Sequence, residues 1–341
     1  MDRAAFDYIA GGSGAEITLR ENVDAFRRRR LRPRVLVDVT EIDLSTDVLG
    51  TRVALPVGVA PMAFQHFAHT DAEAAMARGA AGAGALFCLS TMSSLPLEQV
   101  AFAADAAADG PLATHPRWFQ LYVHRDRGLS RDLVARAEAA GYTAIVLTVD
   151  LPVAGYRESD MRNGLAYPER FGNFDAGPTG GRPITEVIAG FNDRGLTWED
   201  VAWLRGVTAL PVVVKGVMTG EDAVRAVIHG AAAVWVSNHG GRQLDPVHAT
   251  IDVLTEIVDV VEGRVEVYLD SGVRRAPDVV MALAMGARMV FVGRPFYFAL
   301  GVGGEAGVRR AFELLTAELG ITMALLGAPS IGRLRRRMVE P

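Results

Sequence analysis

Eight times along the chain a short apolar run of strand length closes on a polar or small residue: 53–61, 85–90, 118–123 and 144–150 in the first half, then 211–215, 232–237, 265–270 and 289–293. Between them stand stretches with helical patterning, at 71–82, 131–140, 220–229, 250–261 and 276–285. Strands that are apolar throughout must be covered on both faces, which is the condition of a parallel sheet wrapped by helices. Eight such units in 341 residues favour closure into a (β/α)8 TIM barrel. An open doubly wound sheet is the alternative, but no Gly-x-Gly-x-x-Gly turn follows the first run. The expectation is one barrel domain over 1–341, with an N-terminal cap of helical and extended pieces over 1–52. A long lid connection, rich in Gly and Pro, is expected over 155–196, after the fourth strand.

Half of the chain is apolar, enough for a large core, and the net charge of -5 argues against a general affinity for nucleic acid. The arginine clusters at 27–30 and 333–337 read as solvated faces or subunit contacts. Cys88 is the only cysteine and lies in an apolar run, so it reads as a buried structural thiol in a chain without disulfides. No apolar leader opens the chain, and no run approaches 18 uncharged apolar residues; a soluble cytoplasmic protein without a membrane partner is expected. No metal site is expected: His66 and His69 are three apart, but no matching ligand presents itself.

In a barrel the active site lies at the C-terminal strand ends, so polar residues that close apolar runs are the ones to collect. Ser90 and Thr91 close the second run, Gln120 and Tyr122 the third, Thr148 and Asp150 the fourth, and Lys215 the fifth. Ser237 and His239 close the sixth, Asp270 and Arg274 the seventh, and Arg294 the eighth. One such residue is usually a helix cap or a turn former. Seven ends of eight point instead to a shared ligand. The segments Asp270-Ser271-Gly272-Val273-Arg274-Arg275 and Gly293-Arg294-Pro295 combine close backbone approach with arginine, after the two strands where such barrels bind phosphate. A phosphorylated cofactor or substrate follows. His239, three residues before Arg242, reads as a general base beside an anion clamp, with Asp150 placed to orient it. Lys215 is the only lysine against 34 arginines, which marks a site needing a compact point charge. A lysine at a barrel strand end can also be a Schiff-base nucleophile of an aldolase.

The same residues carry a resemblance over nearly the whole chain. The segments Asp7-Tyr8-Ile9-Ala10-Gly11-Gly12, Thr18-Leu19-Arg20-Glu21-Asn22, Ala60-Pro61-Met62-Ala63, Phe119-Gln120-Leu121-Tyr122 and Leu147-Thr148-Val149-Asp150 resemble those of the FMN-dependent α-hydroxy acid oxidizing family. So do Val214-Lys215-Gly216, Ser237-Asn238-His239-Gly240-Gly241-Arg242-Gln243-Leu244-Asp245, the Asp270 segment and Gly293-Arg294-Pro295. That family includes glycolate oxidase, lactate oxidase, lactate monooxygenase and mandelate dehydrogenase.

The resemblance implies FMN as cofactor. Pro61, Met62, Ala63, Ser90, Gln120, Thr148, Lys215 and Ser237 would line its ring and ribityl chain, and Asp270, Gly272, Arg274, Gly293 and Arg294 would hold the ribityl and phosphate end. Lys215 would set a fixed positive charge beside N1 and O2 of the flavin. Arg157 and Arg242 would bind the substrate carboxylate with Tyr8 assisting, Tyr122 would hydrogen-bond near the hydroxyl, and His239 would take the proton. Met92 stands where glycolate oxidases carry a tryptophan, which with Phe64 leaves room for an aromatic ring. The implied reaction is oxidation of an (S)-2-hydroxy acid, mandelate or 4-hydroxymandelate, to the 2-keto acid, with O2 reduced to H2O2. Lactate or glycolate is the aliphatic alternative, and an FMN-binding regulatory barrel the non-enzymatic one. Residues 163–196 are short and polar where membrane-bound mandelate dehydrogenases carry an apolar insertion, and the family implies a homo-oligomer, a tetramer.

Overall fold

The apolar runs pair into a closed barrel of eight parallel strands in the computed structural model, which describes residues 1–107, 115–165, 172–174 and 190–340. The strands are β1 (Val57–Val59), β2 (Phe87–Ser90), β3 (Arg117–Leu121), β4 (Ile145–Thr148), β5 (Val212–Val217), β6 (Ala233–Val236), β7 (Glu266–Leu269) and β8 (Met289–Val292), with β8 closing on β1. Two helices precede the barrel, α1 (Arg3–Ala10) and α2 (Ile17–Arg28). The outer ring is α3 (Ala72–Gly82), α4 (Leu97–Asp105), α5 (Arg127–Ala139), α6 (Glu158–Asn163), α7 (Glu199–Val207), α8 (Gly220–Ile228), α9 (Thr250–Val261), α10 (Ala276–Ala284) and α11 (Arg294–Leu326). Among the described residues no helix is long and apolar enough to cross a membrane.

Side chains alternate along each strand, so every strand serves two cores. Phe87, Leu89, Phe119, Leu121, Ile145 and Leu147 face the helices, while Cys88, Trp118, Val146, Val213, Trp235, Tyr268 and Phe291 fill the barrel interior. The interior layer is aromatic, with Trp235 stacked on Phe291 at 3.8 Å between centroids. Two residues further along the same strands the next inward positions are Ser90, Gln120, Thr148, Lys215, Ser237 and Asp270, so a polar floor lies directly above an apolar plug.

The run 53–61 is not one strand, which corrects the sequence expectation. Val53 belongs to a hairpin, Thr46–Val48 with Thr51–Val53, whose Val48 and Val53 pack into the interior and stopper its N-terminal mouth. Pro56 has no N–H to give a ladder, and β1 begins only after it. The helix expected from residue 131 starts earlier, at Arg127, because Asp126 caps it by accepting from the Gly128 N–H at 2.8 Å. Lys215 is not the last residue of its strand. β5 runs on to Val217 through a register shift, and a Cβ at Gly216 would stand 2.7 Å from that of Asp150.

Buried amides help to pin the connection after β4. Asn173 accepts from the Leu97 N–H at 2.8 Å and donates to Thr91 O at 3.0 Å, and Asn192 donates to Leu151 O at 3.1 Å. Residues 166–171 and 175–189 of the expected lid lie outside the described residues. In the arginine cluster of α2, Arg28 and Arg29 pair with Asp252.

Candidate active site

Lys215 is 3% exposed, and burying an ammonium requires partners. Its Nζ donates to Ser237 Oγ at 2.9 Å, stands 3.3 Å from Asp270 Oδ2 and lies 5.5 Å from the Trp235 ring centroid. Burial pulls its pKa down, but Asp270 and Asp150 outweigh that and hold it above the ordinary lysine value. A Schiff-base nucleophile needs the opposite shift. Beside it, Gln120 Nε2 and Thr148 Oγ1 are buried with no hydrogen-bond partner. Orphaned polar atoms on a floor of this kind fit a ligand with a polar edge.

The loop after β6 carries the base candidate. His239, Gly240 and Gly241 all take left-handed backbone, with φ of 58°, 66° and 74°. Side-chain oxygens of neighbouring polar residues take up the three N–H groups: Ser237 Oγ at 3.1 Å, Ser271 Oγ at 2.9 Å and Asn238 Oδ1 at 3.1 Å. His239 Nδ1 lies 2.9 Å from Asp150 Oδ1. With the ring proton on Nδ1 facing that carboxylate, the Nε2 lone pair is left to the cavity. Burial alone would raise the Asp150 carboxyl, but His239 and Lys215 outweigh it and keep it below the usual carboxylate range.

The cavity at this end spans about 1200 Å3 of space, part of it open to solvent. Arg157 and Arg242 both lean on Tyr8, their guanidinium carbons 5.4 and 4.7 Å from its ring centroid, and Phe67 packs edge-on against the same ring at 5.5 Å. Arg242 Nη1 donates to Tyr8 O at 2.5 Å and Gly11 O at 3.1 Å, so α1 helps to aim it. Arg157 Nε lies 3.2 Å from Asp160 Oδ2. Burial, with Asp150 and Tyr8 nearby, pushes the Tyr122 hydroxyl up, so it stays a donor at neutral pH. Phe64 and Met92, with Leu151, give this end an apolar wall.

Arg274 and Arg294 line the same cavity with Gly272 and Gly293, and Arg294 donates from Nε to Ile9 O at 2.9 Å and from Nη2 to Gly11 O at 2.8 Å, the carbonyl that Arg242 also reaches. Burial and the like charges of Arg242 and Arg274 push Arg294 down to about 9. A guanidinium stays charged in a protein, so this displacement marks a cationic cluster short of anions. Such a cluster suits the anionic groups of a phosphorylated cofactor and of a carboxylate substrate.

Of the residues singled out in the sequence, Gln120, Thr148, Asp150 and Ser237 belong to the floor and are not among those that line the open cavity. Tyr8, Pro61, Met62, Ala63, Ser90, Met92, Tyr122, Arg157, Lys215, His239, Arg242, Asp270, Gly272, Arg274, Gly293 and Arg294 line it. Sequence reasoning passed over Gln243, which donates to Asp150 O at 2.8 Å and Val153 O at 3.1 Å and so straps the loop of β4 to that of β6. It also passed over Tyr297, whose hydroxyl donates to Ala63 O at 3.0 Å and Phe64 O at 2.5 Å, and over the reciprocal amide pair Asn22–Asn238, at 2.9 and 2.7 Å. The polar residues of the His239 segment were the available signal for Gln243 and Asn238; Tyr297 had none.

Comparison with known proteins places this geometry. A family model described as FMN-dependent dehydrogenase matches residues 1–341. An L-lactate oxidase of Nostoc sp. is 47% identical over 340 residues, covering 97% of this chain and 92% of the relative. Glycolate oxidase 3 of Arabidopsis thaliana is 46% identical over 348 residues, covering 100% of this chain and 92% of the relative. Among solved structures, mandelate oxidase with (S)-4-hydroxymandelic acid superposes with a TM-score of 0.92 at 44% identity, covering 100% of this chain and 94% of that one.

Proposed function

The chain belongs to the FMN-dependent dehydrogenase family, and within it we propose an oxidase of an aromatic (S)-2-hydroxy acid, mandelate or 4-hydroxymandelate, that yields the 2-keto acid and H2O2. FMN is the cofactor and oxidation of a 2-hydroxy acid the chemistry of its relatives. The observation that carries the reading is His239 Nδ1 held 2.9 Å from Asp150 Oδ1, in a cavity that also receives Arg157, Arg242 and Tyr122. Bound FMN supplies a two-electron acceptor that passes the pair on to O2.

The protein's own residues do the rest. Arg157 and Arg242 grip the substrate carboxylate, and their lean on Tyr8 fixes both in place before substrate arrives. Tyr122 donates its hydroxyl proton toward the substrate oxygen, and His239 Nε2 takes the proton that leaves the hydroxy acid. Asp150 holds the imidazole in the tautomer this requires and stabilises the imidazolium that forms. Lys215 sets a positive charge in the floor, where negative charge develops on reduction. Gln120 Nε2 and Thr148 Oγ1 would hold the polar edge of the cofactor ring, with Pro61, Met62, Ala63, Ser90 and Ser237 around it. Asp270, Gly272, Arg274, Gly293 and Arg294 would hold its ribityl and phosphate end.

Phe64, Met92 and Leu151 support the aromatic substrate, since they give the wall apolar surface and no further charge to satisfy. A lactate- or glycolate-sized acid is the second reading, favoured by the curated relatives at 46% and 47% identity. Anaerobic bleaching of the yellow holoenzyme by glycolate, lactate, mandelate and 4-hydroxymandelate separates the two. Fastest bleaching by the aromatic acids is expected, and preference for glycolate would sink the aromatic reading. A regulatory FMN barrel would not bleach with any of them.

A further inference from the structure

Glu73, in the first turn of α3, is a fully buried carboxyl that takes no part in the chemistry assigned above. Its Oε1 accepts from the Gln65 N–H at 3.1 Å and the Ser94 N–H at 2.9 Å, so one oxygen joins the turn after β1 to the turn after β2. Those turns carry Phe64 and Met92, the apolar wall of the cavity. Two further links run in parallel: Phe64 N–H to Met92 O at 3.1 Å, and His66 N–H to Ser94 Oγ at 3.2 Å. Phe64 sits at φ 55°, a conformation that persists only where its surroundings impose it.

Among the described residues no cation pairs with Glu73. Burial outweighs its backbone donors and holds the carboxyl above its ordinary range. Glu73 Oε2 is buried without a hydrogen-bond partner, so the join between the two turns runs through Oε1.

We propose that Glu73 is a positioning residue for substrate selection: by stapling the two turns it sets the separation of Phe64 and Met92, and with it the width of the apolar end of the cavity. This rests on the reading of that cavity as a 2-hydroxy acid site. A loosened staple removes packing from a substrate ring, whereas lactate, with a single methyl, loses little.

The test uses the FMN-loaded enzyme and the ratio of kcat/KM for mandelate to kcat/KM for lactate. Glu73→Met keeps the length and removes the acceptor, and the ratio is expected to fall about tenfold, within the range that pocket contacts of this kind discriminate. Glu73→Gln keeps an acceptor and adds a donor without charge, and the ratio is expected to stay within about twofold of wild type. Should Glu73→Met fail to fold, Glu73→Asp, one methylene too short to reach both turns, carries the same expectation. An unchanged ratio with both efficiencies lowered together marks a merely structural role and overturns the proposal. So does a tenfold fall in Glu73→Gln. Failure of the aromatic reading shows separately, as a wild-type ratio below one, and leaves the comparison between variants intact.

Discussion

The charges beneath the cavity form one coupled set: Asp270 and Asp150 hold the ammonium of Lys215, and Lys215 and His239 hold the carboxylate of Asp150. Removing one member therefore changes more than one contact. Asp150→Asn keeps the shape, but its amide can present an N–H to Nδ1 and reverse the histidine tautomer, so a fall in kcat of about 10²–10⁴-fold is expected. The same substitution has a pH signature. The Asp150 carboxyl is depressed in the fold, so its stabilisation is complete above the unfolded value near 3.9 and is lost as pH falls through the lower folded value. The thermal midpoint gap between wild type and Asp150→Asn should be constant above about pH 5 and close below about pH 4. A gap that widened on acidification would contradict the direction of the shift. These residues were legible because polar residues close seven of the eight apolar runs, and that many together have few bland readings. Gln243 and Tyr297 were not, because an amide or a phenol that serves distant carbonyls leaves no local pattern.

Among the elements, α2 has no side-chain cap of its own, and Asp245 supplies one from the far side of the site. Its carboxylate accepts from the Ile17 N–H at 3.2 Å and the Thr18 N–H at 2.7 Å. The helix thus docks on the same loop that carries His239, and Asn22 completes the join through Asn238. Asp245→Ala removes the cap, and a loss of about 1–2 kcal/mol is expected in chemical denaturation, with kcat falling because the loop loses its brace. Full activity at reduced stability would separate the helix from the site. The succession of strands could be read because continuous apolar runs bounded by Gly, Pro or polar residues are local. The hairpin that stoppers the barrel could not, since Val53 and Val57 belong to one apolar run and only tertiary packing assigns them to different sheets.

At the scale of the whole molecule, the outer surface carries more exposed apolar side chain at one place than solvation explains. Leu314, Ile321 and Leu325 recur along one stripe of α11 and are exposed. At the end of that helix the Arg34 N–H reaches Leu326 O at 3.1 Å, which sets the exposed residues Val35, Leu36 and Val37 beside the same stripe. Contiguous apolar surface of this kind marks an interaction site, and repeated copies of one chain satisfy it most simply by closed symmetry. We propose that it is buried against further copies of this chain, with a tetramer as the expected assembly. Assembly and interface can be tested apart. Light scattering on the eluting holoenzyme should give a mass near four times the 36.5 kDa of one chain, and a wild-type monomer would remove the basis for the interface. The paired substitution Ile321→Glu and Leu325→Glu should lower that mass and leave the FMN absorbance in place, because neither residue lines the cavity. Loss of flavin together with the mass would show that assembly and cofactor site are coupled across the break at Gly303 and Gly304, which separates the turn of α11 carrying Arg294 from the stripe.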